Sequence, residues 1–348
     1  MDAQTTSGVR QGDILAGKYR IEKVLGIGGM GVVVAAHHLQ LETKVAIKFL
    51  LPDSLGNEEV VARFRREAQA ASRIKSEFVA RVSDVGNLET GAPYMVMEYL
   101  EGCDLGEWLQ RNGRLPIEQA VEFVLQAMEA IAEAHSLGVV HRDLKPANMY
   151  CIRRADGLLS IKVLDFGISK LTHGAASESA LSMTRTSAVV GSPLYMSPEQ
   201  LRSSRDVDMR TDIWSLGVIL FQLLTGKAPF EGESLPDLSI NIASRATPRI
   251  RDLRPEVPEA LEQVIGKCLE KEREHRFSNV AELAMALAPL GPPRRAQASA
   301  ERIARTLQAA GLSSPAFNGS ALAPREPTGA AWGQTSPPPA GRRRFFYF

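Results

Sequence analysis

The apolar residues of this 348-residue chain change period partway along, and that seam limits the folds open to it. From Tyr19 to about Glu98 they cluster in short runs: Tyr19–Leu25, Val32–Ala36, Lys44–Phe49 and Tyr94–Met97. These runs are β-branched or apolar and are bounded by Gly, Pro or polar turns, which predicts strands. One segment breaks the pattern. Val60, Phe64, Ala68, Ala71 and Ile74 recur at helical spacing and predict a helix over Glu58–Ile74, with Arg63, Arg65, Arg66 and Arg73 toward solvent. From about Leu105 the spacing is helical. Pro116 opens a long helix over 117–137 that Gly138 ends. Asp212–Leu224 is apolar on nearly every side and reads as a buried central helix stopped by Gly226. Pro258–Lys271 and Asn279–Leu287 are amphipathic. The expected class is α+β and bilobal: a small β-rich N-lobe over about 19–98, a larger helical C-lobe over about 99–290, and a ligand cleft between them.

The 44% hydrophobic and 23% charged fractions fit a folded globule and exclude wholesale disorder. The net charge of +1 argues against a nucleic-acid binder, but the charge is uneven. Residues 291–348 hold eight Arg and two Glu (+6), while residues 1–290 hold 33 basic and 38 acidic groups (−5). The same tail carries 8 of the 20 prolines, so 291–348 is expected to be mostly disordered, with a short helix allowed over Ala296–Ala310. Residues 1–18 are polar and are expected to be a flexible lead. Cys103, Cys151 and Cys268 lack the spacing of a disulfide framework or a zinc site. With no run of 18 apolar residues and no apolar signal-peptide core, a cytoplasmic setting is expected.

Four stretches carry chemistry. Gly26-Ile27-Gly28-Gly29-Met30-Gly31 is followed by Val32-Val33-Val34, a second strand rather than a helix, so the glycines cap a hairpin whose backbone N–H groups can meet phosphate oxygens. Lys48 ends the run Val45-Ala46-Ile47-Lys48, where burial demands an anion. Glu67 supplies one, because it shares the inward face of the 58–74 helix with Phe64 and Ala71. In His141-Arg142-Asp143-Leu144-Lys145-Pro146-Ala147-Asn148, Asp143 and Asn148 stand five apart in a loop and can aim at one centre. A carboxylate there can take a hydroxyl proton, an amide oxygen can hold Mg²⁺, and Lys145 adds a cation. Asp165-Phe166-Gly167 follows the apolar strand Ile161–Leu164 and suits a metal that bridges phosphates.

The ordered set resembles the protein-kinase superfamily from about Tyr19 to Leu290, with Ser197-Pro198-Glu199 and Asp212-Ile213-Trp214-Ser215-Leu216-Gly217 completing it. Lys145 two residues after Asp143 resembles the serine/threonine class. Gly29-Met30 and Tyr195-Met196-Ser197-Pro198-Glu199-Gln200 resemble its bacterial, Hanks-type members. The resemblance implies ATP with Mg²⁺, or Mn²⁺ in its place, and protein substrates with Ser or Thr acceptors. The loop Gly26–Gly31 would cover the phosphates, Lys48 would contact them and pair with Glu67, and Asn148 and Asp165 would hold the metal. Asp143 would be the base or orienter and Lys145 would steady the γ-phosphate. Val33 and Ala46 would roof the adenine, Met97 would be gatekeeper, Glu98-Tyr99-Leu100 the hinge, Asp104 the ribose contact and Tyr150 the adenine floor. Asp212 would accept from the catalytic-loop backbone, and Glu199 would pair with Arg276.

Three departures stand out by comparison. Tyr150 replaces an apolar floor residue, Ser197 an Ala, and Ser192 a Thr. The resemblance also implies that an anion is needed beside Arg142, which a phosphorylated activation segment can supply. Thr184 and Thr186 are the expected autophosphorylation sites, made in trans within a transient homodimer. The ending Arg342-Arg343-Arg344-Phe345-Phe346-Tyr347-Phe348 suits contact with a membrane surface. Two other classes are open to the sequence. A pseudokinase that binds partners without transfer has no need of Lys48, Asp143, Asn148 and Asp165 together. A small-molecule kinase has no need of the substrate-platform segment Gly191–Glu199.

Overall fold

The structure, a computed structural model, describes residues 9–28, 31–166, 192–203 and 207–312. Strands β1 (Ile14–Leu15), β2 (Tyr19–Ile27), β3 (Gly31–His38), β4 (Thr43–Leu50), β5 (Val82–Asn87) and β6 (Pro93–Glu98) form one antiparallel sheet in the order β1-β2-β3-β4-β6-β5. The inward residues of alternating strands, Ile21, Val32, Val34, Ile47 and Val96, are fully buried and make the small core. The glycines do sit at a hairpin tip, since Ile27 faces Val32 and Gly28 N–H donates to Gly31 C=O at 2.8 Å.

A one-turn helix α1 (Pro52–Leu55) leads into α2 (Glu58–Arg73). Asn57 caps α2 by accepting from the N–H groups of Glu59 and Val60. Its Phe64 and Ala68 bury against Leu50 and Met95 of the sheet. Arg63 corrects one expectation: it is buried rather than solvated, and it reaches Glu59 one turn back at 3.6 Å.

The larger lobe holds α3 (Leu105–Asn112), α4 (Ile117–Ser136), α5 (Pro198–Arg202), α6 (Arg210–Thr225), α7 (Leu235–Ser244), α8 (Ile250–Leu253), α9 (Glu259–Cys268), α10 (Val280–Leu287) and α11 (Pro293–Ala309). Strands β7 (Gly102–Asp104), β8 (Met149–Arg153) and β9 (Leu159–Val163) form a second, three-stranded sheet on its cleft side. Helix α6 is buried on nearly every side and is the axis around which α4 and α9 pack. Gly226 ends it in the left-handed region, φ 81°, and donates to Gln222 C=O at 2.7 Å.

Two segments, β1 in the lead and α11 in the tail, are more ordered than expected. In the lead, Leu15 is buried and β1 pairs Ile14 with Arg20 and Leu15 with Tyr19. Val9, Ile14 and Leu15 are too few and too irregularly spaced to give a period. In the tail, α11 begins earlier than the allowed 296–310 and is no isolated helix. Ala296, Ala300, Ile303 and Leu307 form an apolar stripe that packs on α4 and α10 and is fully buried. The Pro-Arg-Ala bias of the flanks hid that stripe. Substituting Ile303→Ala should therefore lower stability by about 2–5 kcal/mol, as in any fully packed core. A chemical-denaturation midpoint equal to wild type would show that α11 contributes nothing to the folded unit.

Candidate active site

The upper wall of the cleft is the β2–β3 hairpin. A side chain on Gly31 would collide with the carbonyl oxygen of Phe49, so glycine is required there by the closeness of β4. Val33 stands opposite Lys48 across β3–β4, and Ala46, buried, stands opposite Met97 across β4–β6. Lys48 Nζ donates to Glu67 Oε1 at 2.6 Å and to Asp165 Oδ1 at 2.7 Å. One ammonium thus joins the sheet, helix α2 and the segment that follows β9.

The lower wall is built around Asp212, which has no exposed surface. It is not an N-cap, because α6 starts two residues earlier. Its Oδ2 accepts from His141 N–H at 2.9 Å and contacts His135 Nε2 at 2.8 Å, while Oδ1 accepts from Arg142 N–H at 2.9 Å. Those bonds hold Arg142 at φ 65°, a strained value for a residue with a side chain. His141 Nε2–H donates to Leu164 C=O at 3.1 Å, and its ring lies 4.8 Å from that of Phe166. Its Nδ1 accepts from Asp143 N–H at 3.3 Å, so both ring nitrogens are used by a neutral imidazole.

Beyond this turn, Lys145 Nζ donates to Asp143 Oδ2 at 3.0 Å. Asn148 Nδ2 donates to the Asp143 carbonyl at 2.8 Å and to Oδ2 at 3.3 Å. Asn148 spends its N–H groups on Asp143 and keeps its oxygen, the atom a hard cation takes. Asp165, at φ 47°, is the second strained residue of the site. One carboxylate and one amide oxygen would suit a hard divalent cation.

At the back of the cleft, Met97 packs with Met95, Phe64 and Leu50. The Glu98 carboxylate is tied away from the hinge, to Lys162 Nζ at 2.7 Å and Arg81 N–H at 2.9 Å, so only its backbone is left to read a base. Leu100 is half-buried. Asp104 caps α3, its Oδ1 accepting from Gly106 and Glu107 N–H at 2.8 and 3.0 Å. Tyr150 lies opposite Asp104 across β7–β8, and its hydroxyl donates to Gly102 C=O at 2.9 Å.

Support comes from below. Arg276 makes two bonds to the Glu199 carboxylate, at 2.7 and 2.9 Å. Ser197 caps α5, reciprocated by Gln200, and its hydroxyl meets that of Thr211 at 2.7 Å, so the serine adds a helix cap that alanine lacks. Sequence reasoning missed two partners. His135 braces Asp212, and Gln200 Nε2 donates to Arg142 C=O at 2.9 Å. Neither has a local signal, because each partner lies at least 58 residues away. Gly29, Met30, Gly167, Thr184, Thr186, most of the activation segment and residues 342–348 lie outside the described residues.

The protein kinase domain family matches residues 19–287, about three-quarters of the chain. The chain belongs to the protein kinase family, among its bacterial Hanks-type serine/threonine members. The serine/threonine-protein kinase pkn3 of Myxococcus xanthus is 38% identical over 92% of this chain and 59% of its own length. PrkC of Bacillus subtilis is 38% identical over 78% of this chain and 40% of its own. The chain therefore spans between two-fifths and three-fifths of these relatives. The crystal structure of the PknI kinase domain of Mycobacterium tuberculosis has a TM-score of 0.61 at 26% identity, covering 81% of this chain and all of that one. Among the described residues, no helix is long and apolar enough to cross a membrane.

The electrostatics of the kinase site follow from its burial. Desolvation works against the Lys48 ammonium, but Asp165 and Glu67 more than offset it and raise its pKa. Burial likewise opposes ionisation of Asp165, and the contact with Lys48 reverses that and holds it below the usual carboxylate range. Glu67, deeper and beside a second carboxylate, is held above that range. Burial lowers the His141 pKa despite Asp212 and Asp143. Burial opposes ionisation of Asp212 too, yet bonds from His135 and the loop backbone keep it low.

Both of these last shifts act in one direction. An unfolded His141 gains a proton below about pH 6.5 that the folded one refuses, and an unfolded Asp212 gains one near pH 4. Stability should therefore fall as pH drops from 7.5 to 5.5 through His141, and further toward pH 4 through Asp212. Denaturation midpoints of wild type and His141→Phe check this: the variant should be flatter between pH 7.5 and 5.5, and equal slopes would refute it.

Proposed function

We propose that the chain transfers the γ-phosphoryl group of ATP to Ser and Thr hydroxyls of cytoplasmic proteins and to its own activation segment. The observation that carries this is Lys48 joined at once to Glu67 and Asp165, with Asp143, Lys145 and Asn148 bonded together on the facing wall. A globule with no nucleotide to orient has no reason to hold two strained residues and five charged side chains at one cleft.

In this reading the hairpin at Gly26–Gly31 lays N–H groups over the phosphates, and Lys48 neutralises their charge. Val33 and Ala46 close over the adenine, Tyr150 lies beneath it, and the backbone of Glu98 and Leu100 reads its edge. Asp165 and Asn148 would hold Mg²⁺, which supplies charge neutralisation between the phosphates. Asp143 orients the acceptor hydroxyl and takes its proton. A bond forms between the hydroxyl oxygen and the γ-phosphorus as the bond to the ADP oxygen breaks, and Lys145 faces the charge that moves.

Arg142 supports control by phosphorylation. Its Nη1 is buried with no partner among the described residues, and its Nη2 reaches only Val207 C=O at 3.4 Å. A phosphate on Thr184 or Thr186, made in trans by a second copy, would supply the missing anion.

With labelled ATP and Mg²⁺, the wild type should label itself and protein acceptors. Asp143→Asn should lose about 10²–10⁴ of the rate and Lys48→Ala about 10² or more. Phosphopeptide mapping should place phosphate on Thr184 or Thr186. A wild type that binds Mg·ATP but incorporates nothing would favour a pseudokinase, and phosphate found only elsewhere would reject these two threonines.

A further inference from the structure

Helix α11 starts at residue 293, beyond the residues 19–287 that match the kinase family, yet it is bonded to the helix that carries the lobe. One face of α4 presents Glu122, Gln126, Glu129 and Glu133 at successive turns. Together they dock three elements. Glu122 meets Arg295 Nε of α11 at 3.1 Å. Gln126 Oε1 accepts from Ile161 N–H of β9 at 2.8 Å. Glu129 accepts from Ser299 Oγ at 2.6 Å and from Arg302 Nε and Nη2, both at 2.7 Å. Glu133 Oε1 accepts from Lys75 N–H at 2.7 Å, at the exit of α2.

The α2 exit and β9 lead to the two carboxylates that hold Lys48: Glu67 on α2 and Asp165 just after β9. Beside the exit, Glu77, Glu129 and Glu133 line one groove of about 540 Å³. Arg302 lines the same groove, and Glu77 as well as Glu129 acts on its charge. The Glu129 carboxylate is only 10% exposed, so it needs that cation. Glu77 has a cation of its own, Arg154 at 3.1 Å, and Arg305 also lines the groove. Without Arg302, Glu129 would lose its ion-pair partner one turn from Glu133 on α4, where the α2 exit is docked.

We propose that Arg302 of α11 is a positioning residue for the active site. By neutralising Glu129 beside Glu133 it keeps the Lys75 amide on Glu133, and so fixes α2 with Glu67 against Lys48. This rests on the kinase reading for its catalytic readout and on geometry for its structural one.

The test compares wild type, Arg302→Ala, Arg302→Lys and Arg302→Ala with Glu129→Gln in the full chain. The readouts are kcat and KM for ATP and hydrogen exchange at the Lys75 amide. Arg302→Ala should lower kcat/KM about five-fold or more and speed Lys75 exchange by a similar factor. Arg302→Lys keeps the charge and should stay near wild type. Adding Glu129→Gln removes the uncompensated charge and should recover most of both losses, whereas a helix that only anchors itself gains nothing from it. Wild-type kcat/KM and exchange in Arg302→Ala, or a double variant no better than the single one, would overturn the proposal. Should Arg302→Ala not fold, the double variant against Arg302→Lys gives the same decision. If the wild type itself transfers no phosphate, Lys75 exchange still decides this proposal separately.

Discussion

An ammonium between two carboxylates, drawn from three separate elements, is the constraint on which the rest of this molecule depends. Neither lobe can satisfy it alone. Lys48 comes from the central part of the sheet, Glu67 from the one helix that interrupts it, and Asp165 from the strand exit of the other lobe. Taking any of these charges out of water unpaired costs several kcal/mol. The two lobes share apolar area where Ile74, Phe78 and Val79 pack into the large core, and the charge cluster is the part of their link that lies where phosphates would bind. A link of that kind tolerates motion, because ion pairs can be remade with an incoming anion or cation, whereas a packed core cannot shift by fractions of a side chain.

The facing wall uses the opposite strategy. Asp212 is fully enclosed on a helix that is itself the axis of the large core, and it fixes two consecutive N–H groups of the turn before Asp143. The strain at Arg142 is offset by bonds that only this carboxylate can make. Rigid below and exchangeable above is a division of labour suited to a site that must admit a large charged ligand and still align a small hydroxyl.

Much of this was legible in the residues. Periodicity gave the seam between strands and helices and the long helices to within a residue or two at most ends, because burial enforces it. The motif set brought Lys48, Glu67, Asp143, Asn148 and Asp165 to one cleft. What escaped was of two kinds. Strand β5 and helix α7 carry weak or mixed patterns, and their place is decided by partners rather than by their own propensity. Long-range polar bonds such as His135 to Asp212 leave no local trace at all. Charge shows the same limit: Arg63 reads as solvated yet is buried, and Arg302, in a tail expected to be mostly disordered, meets Glu129, 173 residues away.

As the floor of the proposed nucleotide site, Tyr150 would change what the cleft accepts. A leucine-like floor yields by rotating about two torsions, but a phenol tethered to the Gly102 carbonyl gives up a hydrogen bond when it moves. The phenol is therefore held beside Gly102–Asp104. In the proposed nucleotide site, flat heteroaromatic compounds would stack on this ring, while bulky branched ones that need depth would be turned away.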